Sequence, residues 1–154
     1  MPHVTFLIAG GMDADVARLR AYARGVDNVR IDGFQPPGRV PLYMAAADVG
    51  LVPNRLHPAI SSRYTSPLKV FESLAAGLPL VASDLPSLRD ILTNGETAIL
   101  VEPEDASALA AGIDRLLTDE VARVRIVRAG KELAARHDWD SRARRILDWM
   151  GELS

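Results

Sequence analysis

Short apolar runs alternate with helix-forming segments along this chain, and that alternation restricts the fold more than any other feature. The runs that suit buried strands are Val4–Ala9, Val29–Ile31, Asp48–Val52, Leu80–Ala82 and Ala98–Val101. The segments with helical spacing or helix signals are Asp13–Arg24, Val40–Ala47, Pro67–Ala76, Leu85–Leu92, Asp105–Leu117, Val121–Ala135 and Ser141–Met150. This order predicts an α/β fold, a Rossmann-like parallel sheet with helices on both faces.

The composition is that of one globular domain. The 154 residues contain 48% apolar and 25% charged side chains, and no repeat or linker divides them. A net charge of −2 supplies no basic field, so we expect no nucleic-acid partner. The chain has no cysteine and its N-terminus lacks a signal peptide, so we expect a cytoplasmic protein. The three histidines are scattered without metal-ligand spacing, and we expect no metal.

The segment from Tyr64 to Ser83 carries the clearest functional signal. Pro67 suits the first turn of a helix, which runs to Gly77 and is followed by an apolar strand. The free amides and positive dipole end of such a helix can bind an anion, and Glu72 lies about one and a half turns further in. A nucleotide would suit such a site: its diphosphate could bind the helix amides, and a pair of its hydroxyls could bind the carboxylate of Glu72. The alternative is a buried crossover helix with a solvated glutamate.

Ligands of such sheets bind outside the carboxyl ends of the strands. The segments expected at that edge are Gly10-Gly11, Gly33-Phe34-Gln35, Asn54–Thr65 and Ser83-Asp84. The Asn54–Thr65 loop is long for a strand-to-helix connection and contains several polar or basic side chains: Arg55, His57, Arg63 and Tyr64. These side chains suit an anionic ligand, although an ordinary exposed polar loop would have the same composition.

The chain resembles the C-terminal, donor-binding half of group 1 (GT4-like) glycosyltransferases of the GT-B fold. The resemblance rests on the order of several segments: Phe6–Gly10, Val29–Phe34, Leu42–Pro53, Ser66–Ser83, Asn94–Ala98, Val101–Pro103, Leu109-Ala110 and Trp139. It implies a retaining, metal-independent transferase whose donor is a UDP- or GDP-linked sugar and which needs no cofactor. It does not identify the nucleotide base, the sugar or the acceptor.

The family motif has two glutamates separated by seven residues, and Glu72 matches the second, which holds the donor ribose. The first falls on Tyr64, which is not an acid and leaves the identity of the sugar open. By the resemblance, the nucleotide contacts are Ser66, Pro67, Leu68, Lys69 and Glu72, with Gly33 and Phe34 near the base. The sugar contacts are Arg63, Tyr64 and Thr65. For Lys69, a side chain lying along the helix surface is the alternative.

The resemblance also implies that the domain in residues 1–154 is N-terminally incomplete, because the family's domain begins one strand earlier. That strand would lie centrally, so its absence would leave two exposed inner strand edges. We therefore expect a partner that carries the acceptor domain, no transfer by this chain alone, and membrane contact only through the full enzyme. The alternatives are a non-catalytic module that binds a nucleotide sugar or a protein and, less favoured, a nucleotide-sugar epimerase.

Two expectations concern the last helix. Trp139 is expected to anchor that helix in the core. Arg142, Arg144 and Arg145 are expected to form a solvated helix face, although such a cluster can also contact a membrane surface.

Overall fold

A computed structural model describes residues 1–57 and 68–152. The chain divides into two compact units, Met1–Ala46 and Ala47–Ser154. Each unit is an arrangement of parallel strands and helices, as the alternation of apolar runs predicts. That the two together form the single domain expected from the sequence stays a prediction.

The first unit is a small β-α-β arrangement followed by a short helix. Its elements are β1 (Phe6–Ala9), α1 (Asp13–Tyr22), β2 (Val29–Gly33), a 3₁₀ turn (Pro37–Arg39) and α2 (Val40–Ala46). The two strands are parallel, with Phe6 opposite Val29 and Ile8 opposite Ile31. Helix α1 packs against β2 through the buried Val16, which lies against Gly33.

Strand β1 is parallel as predicted, but it is not buried. Leu7 and Ile8 are 41% and 39% exposed, although both are large and apolar. Among the residues described, β1 pairs only with β2, and α1 packs mainly on β2. An apolar run signals a strand without fixing what covers it, and here the described part of the chain leaves β1 largely uncovered.

The second unit is built on a three-stranded parallel sheet in the order β3-β4-β5. Its elements are β3 (Gly50–Val52), α3 (Leu68–Ala76), β4 (Leu80–Ser83), α4 (Pro86–Arg89), β5 (Ile99–Val101), α5 (Ala106–Thr118), α6 (Glu120–Ala135) and α7 (Trp139–Glu152). Strand β4 is central, pairing Val81 with Leu51 on one side and with Ile99 on the other. All four residues of β4 are buried, so the core of this unit surrounds the central strand.

Helices α3 and α5 approach their neighbours closely because glycines lie at the contacts. A Cβ at Gly130 of α6 would be only 2.7 Å from Leu74 of α3, and one at Gly112 of α5 would be 2.9 Å from Val81 of β4. Since real Cβ contacts are not this short, the absence of a side chain permits both approaches. The α3–α6 contact holds the helix that carries Glu72.

Helix ends in this unit are closed by local hydrogen bonds. The carboxylate of Asp105 accepts from the Ser107 and Ala108 amides, which confirms the predicted start of α5. Helix α3 ends at Gly77, whose φ of +76° allows the Leu78 amide to donate to the Ser73 carbonyl. This is the Schellman arrangement, and it turns the chain directly into β4.

Helix α7 has no buried residue, although its sequence is strongly amphipathic. Trp139 is 76% exposed, so the expectation that it anchors the helix in the core is wrong. Its ring instead lies under the guanidinium of Arg142, whose Cζ is 5.7 Å from the ring centroid. The apolar spacing correctly predicts a helix here. It does not require the apolar face of that helix to pack against the core of the same chain.

Candidate functional site

Helix α3 presents the carboxylate of Glu72 to solvent. Its inward positions, Val70, Ser73 and Leu74, are buried at helical spacing. Glu72 lies on the opposite face and is exposed. It forms no hydrogen bond or ion pair with any residue in the ranges 1–57 and 68–152. An exposed glutamate with free lone pairs can accept two hydrogen bonds from a ligand.

The position of α3 is fixed by contacts on two sides. Leu74 packs into the notch left by Gly130 of α6. The ring of Phe71 stacks on His137, with ring centroids 5.2 Å apart, and the His137 Nδ1 atom is 2.9 Å from the Leu133 carbonyl oxygen. Because Phe71 precedes Glu72, these contacts hold the backbone from which the carboxylate projects.

The start of the described part of α3 lies on the carboxyl side of the sheet. Strands β3 and β4 are parallel, so the chain must return from the carboxyl end of β3 to the amino end of β4, and α3 forms part of that return. Leu68 and Lys69, both exposed, begin this helix. Lys69 has no ion-pair partner within the described ranges, although Glu72 is only one turn away.

A cleft of about 370 Å³ opens at the same edge, beyond the ends of β3, β4 and β5. It is lined by Pro53, Arg55, Ser83, Val101, Glu102, Glu104, Asp105, Ala106 and Leu109. Arg55 and Ser83 belong to segments that the sequence placed at this edge, and the cleft brings them together. Neither Leu68, Lys69 nor Glu72 lines it.

Two ion pairs form at this edge. Arg55 Nε donates to Glu104 Oε1 at 3.1 Å, and Arg89 Nη2 donates to Asp84 Oδ2 at 2.7 Å while its Nε contacts the other carboxylate oxygen. The hydrogen bonds from Arg89 lower the pKa of Asp84 below its ordinary value. Sequence reasoning identified Arg55 and Asp84 as edge residues but missed both partners. Arg55 and Glu104 are 49 positions apart, whereas Asp84 and Arg89 are only five apart, and no local motif marks either contact.

The turn after β2, in the first unit, contains the residues expected near the base. Gly33 has a φ of +70°, and a Cβ there would meet the Val16 side chain at 3.4 Å. The Gly10 amide donates to the Gly33 carbonyl at 2.6 Å, which joins the two strand ends. Phe34 is 75% exposed, so its ring is available to a ligand.

Asp32, just before this turn, links β2 to α2 through hydrogen bonds to its carboxylate. Its carboxylate accepts from Arg30 Nε at 2.7 Å, from Arg30 Nη2 at 2.8 Å and from the Tyr43 hydroxyl at 2.8 Å. The bonds from Arg30 and then Tyr43 lower the pKa of Asp32, and the same Asp32 bond raises the pKa of Tyr43. The sequence did not indicate this cluster, which ties β2 to α2 beside Phe34.

The predicted site residues thus fall into three sets. Gly33 and Phe34 belong to the first unit, whereas Leu68, Lys69 and Glu72 share α3 in the second. Arg63, Tyr64, Thr65, Ser66 and Pro67 lie outside the described residues. The predicted sugar contacts, and the anion site at the first amides of α3, therefore stay predictions.

Residues 1–57 and 68–152 contain no group of three or more His, Asp or Glu side chains arranged to hold a metal ion. No helix in those ranges combines the length and the hydropathy needed to cross a membrane.

Comparison with known proteins gives a family match over most of the chain. The family model for glycosyl transferases group 1 matches residues 1–119. The phosphatidyl-myo-inositol mannosyltransferase of Mycobacterium leprae is 36% identical over 94% of this chain and 37% of its own length. The D-inositol 3-phosphate glycosyltransferase of Acidothermus cellulolyticus is 32% identical over 90% of this chain and 30% of its own length. The chain therefore spans less than two fifths of these relatives.

Solved structures match the fold. Sucrose-phosphate synthase from Thermosynechococcus elongatus superposes with a TM-score of 0.78 at 28% identity, covering 96% of this chain and 38% of that one. Anabaena Alr3699/HepE, solved in complex with UDP-glucose, gives a TM-score of 0.79 at 21% identity over 99% of this chain and 42% of that one. These matches confirm the predicted fold class.

Proposed function

The chain belongs to the group 1 glycosyltransferase family, and we propose that it is the donor-binding part of a retaining enzyme of that family. It binds a UDP- or GDP-linked sugar, which is transferred to a carbohydrate or lipid-linked acceptor. The nucleotide enters as a substrate, and the proposal involves no cofactor. The partner is the acceptor-binding part that a complete enzyme of this kind requires.

The exposed carboxylate of Glu72 is the observation that carries this proposal. The residue has no partner in the described part of the chain, yet it lies on a helix held by the Leu74–Gly130 contact and by the Phe71–His137 stack. A carboxylate held in place without a structural partner suits a pair of ribose hydroxyls, because each hydroxyl can donate to one oxygen.

Lys69 supports the proposal through its charge. The ammonium of Lys69 is one turn from Glu72 and has no carboxylate partner in the described ranges, so it is available to a diphosphate. In the proposed complex the phosphates are stabilised by this cation and by backbone amides at the start of α3.

The relatives point to the same ligand class. Mannosyltransferases and an inositol-phosphate glycosyltransferase match most of this chain, and a structural neighbour was solved with UDP-glucose. The first of these relatives is named for a lipid substrate, phosphatidyl-myo-inositol, which supports a lipid-linked acceptor as one option. For this chain, both the donor and the acceptor are part of the proposal.

Calorimetric titration of the purified chain with UDP and with GDP tests the donor site. We expect one of the two nucleotides to bind saturably and Glu72→Ala to weaken that binding by about 1–3 kcal/mol, the value of a hydrogen bond to a charged group. At about 1.4 kcal/mol per factor of ten, this is a loss of roughly five-fold to one hundred-fold.

Glu132→Ala is the matched control for that titration. Glu132 is also exposed and without a partner in the described residues, but it lies on α6, so its removal should leave the affinity unchanged. Equal weakening by the two variants would assign the effect to net charge rather than to a ribose contact. No binding of either nucleotide to the unmodified chain would contradict the donor-binding role of this chain by itself.

A further inference from the structure

A groove of about 830 Å³ opens in the second unit at the amino ends of β3 and β4. Asp48, which precedes β3, and Pro79, which precedes β4, both line it. Because the strands are parallel, this edge of the sheet is opposite to the edge that carries the start of α3 and the cleft of about 370 Å³. The groove is therefore separate from the surface to which the proposed function assigns the donor.

One side of helix α6 forms a wall of this groove. The lining residues of α6 are Arg123, Val124, Val127, Arg128 and Lys131. At 3.6 residues per turn these five positions fall within an arc of about 140°, so they share one face of the helix. Arg128 and Lys131 are exposed, and Val124 is 61% exposed. This face of α6 is therefore open to solvent and to any ligand in the groove.

Positive charge accumulates on this wall without being neutralised. The groove is lined by three cations, Arg123, Arg128 and Lys131, and by one acid, Asp48. None of these four side chains forms an ion pair with another residue in the ranges 1–57 and 68–152. Arg128 and Lys131 are one turn apart on the helix, where like charges repel each other. An anion in the groove would relieve that repulsion.

Contacts with neighbouring elements position two of the three cations. Arg123 Nη1 donates to the carbonyl oxygens of Leu116 and Leu117, at 3.2 and 3.3 Å, which closes the end of α5. The side chain of Lys131 crosses Gly77, where a Cβ would be 2.5 Å from Lys131 Cε and 3.0 Å from its Nζ. The missing side chain at Gly77 thus makes room for Lys131 in the groove.

Capping of helix ends accounts for only part of this charge. Arg123 lies at the end of α5 and Lys131 at the end of α3, and a cation is favourable at both places because of the helix dipole. Arg128 has neither a hydrogen bond nor an ion pair with any described residue. It lies beside Lys131 on the wall of the groove, and no structural role explains it.

The chemistry of the lining selects the kind of anion. A guanidinium binds two phosphate oxygens through its planar fork, and an ammonium adds a point charge. Asp48 can accept a hydrogen bond from a hydroxyl group, and Pro79 and Val127 supply apolar contact. We propose that this groove is a second ligand site, which binds a hydroxyl-bearing phosphate ester with its phosphate on Arg128 and Lys131.

Titration of the ¹⁵N-labelled chain with glycerol 3-phosphate, followed by NMR, tests the proposal. We expect saturable shifts of amide signals in α6 and next to Asp48 and Pro79. Arg128→Gln/Lys131→Gln should weaken binding roughly ten-fold or more, because charge-assisted hydrogen bonds are lost. Arg125→Gln is the matched control and should leave the affinity unchanged, since Arg125 is an exposed arginine of the same helix that does not line the groove.

Phosphatidylglycerol vesicles distinguish a lipid headgroup from a soluble ester. Vesicle binding that the double variant loses, with no binding to phosphatidylcholine vesicles, would assign the phosphate to a lipid, whereas binding of glycerol 3-phosphate alone would assign it to a soluble ester. Three results would overturn the proposal: no binding of either probe, binding insensitive to the double variant, or equal weakening by Arg125→Gln.

The nucleotide titration separates this site from the proposed donor site. Arg128→Gln/Lys131→Gln should bind UDP or GDP as the unmodified chain does, and Glu72→Ala should bind glycerol 3-phosphate as the unmodified chain does. A loss of nucleotide affinity in the double variant would place the nucleotide diphosphate in the groove and would overturn the proposal of a second site. If the chain binds neither nucleotide, the donor proposal fails, and the glycerol 3-phosphate titration still decides this one.

Discussion

Asp32 in the first unit and Glu72 in the second are two acids with opposite surroundings. The carboxylate of Asp32 accepts three hydrogen bonds from Arg30 and Tyr43, whereas that of Glu72 accepts none from the described residues. The first is therefore a structural group that holds β2 against α2, and the second remains available to a ligand. The two carboxylates differ in role because of their hydrogen-bond partners, and not because one is an aspartate and the other a glutamate.

The Asp32 cluster predicts a pH dependence of stability. Because the folded-state pKa of Asp32 is lowered, its contribution is present above the unfolded value of about 4 and is lost as the pH falls through the folded value. We expect the free energy of unfolding to fall between pH 7 and pH 3, and to fall less in Asp32→Asn, which cannot titrate. Urea denaturation followed by far-UV circular dichroism at the two pH values measures this.

Asp27→Asn is the control for that measurement. Asp27 is an exposed aspartate in the same unit and has no hydrogen-bond partner in the described part of the chain. Tryptophan fluorescence would not report on the cluster, since Trp139 and Trp149 both belong to the second unit. A pH profile of Asp32→Asn that is indistinguishable from that of Asp27→Asn would contradict the assigned role of Asp32.

Sequence reasoning at this scale succeeded where the signal is local. The Asp105 cap, which follows from its place before an apolar helix, is confirmed. The Asp32–Tyr43 and Arg55–Glu104 contacts join segments that are far apart in the chain. Polar side chains of this kind are usually solvated, so their pairing could not be predicted without the fold.

At the scale of elements, the contact between α3 and α6 determines where the helix that carries Glu72 lies. Gly130 removes a side chain where Leu74 must pack, and Gly77 allows the chain to leave α3 with a positive φ. Both glycines are thus required by geometry, one by a close approach and the other by a backbone conformation.

Gly130→Ala should therefore destabilise the protein, although alanine is the better helix former. The added Cβ would lie 2.7 Å from Leu74 Cδ2, and overpacking of this kind costs about 1–3 kcal/mol. Gly151→Ala, in the exposed helix α7 with no atom within 4 Å, should instead be neutral or stabilising by up to about 1 kcal/mol. Thermal or chemical denaturation of the two variants compares them, and equal effects would show that α3 can move away from α6.

Element positions were predicted more reliably than element surroundings. The strands and helices occur in the predicted order, with ends shifted by a few residues, as for α4, which is only four residues long. The errors concern burial: β1 and Trp139 were expected to be buried and are exposed. Apolar periodicity identifies which face of an element favours burial. It does not identify the residues that bury that face, because they belong to another part of the molecule or to another chain.

At the scale of the whole molecule, each of the two units has a parallel sheet of its own. Within the described residues β1 pairs only with β2, and β3 pairs only with β4. These are the two strands that the family resemblance left with unpaired inner edges. The chain also spans only 37% of the length of the M. leprae mannosyltransferase.

If the chain has the donor-binding role proposed above, we expect no sustained sugar transfer by the purified chain, because donor binding by itself does not complete the reaction. A coupled assay for released UDP or GDP, with UDP-glucose and GDP-mannose as donors and phosphatidyl-myo-inositol as the acceptor, measures this. The full-length M. leprae relative serves as the positive control for the assay. Steady turnover by the 154-residue chain alone would show that it contains a complete active site.

The burial of β4 determines how its amide hydrogens exchange with solvent. All four of its residues are buried and it is paired on both sides, so its amide hydrogens reach solvent only when the unit opens as a whole. Their rate of exchange for deuterium therefore reports the global opening free energy of that unit. The amides of β1, on a two-stranded sheet with exposed side chains, report local opening of the first unit instead.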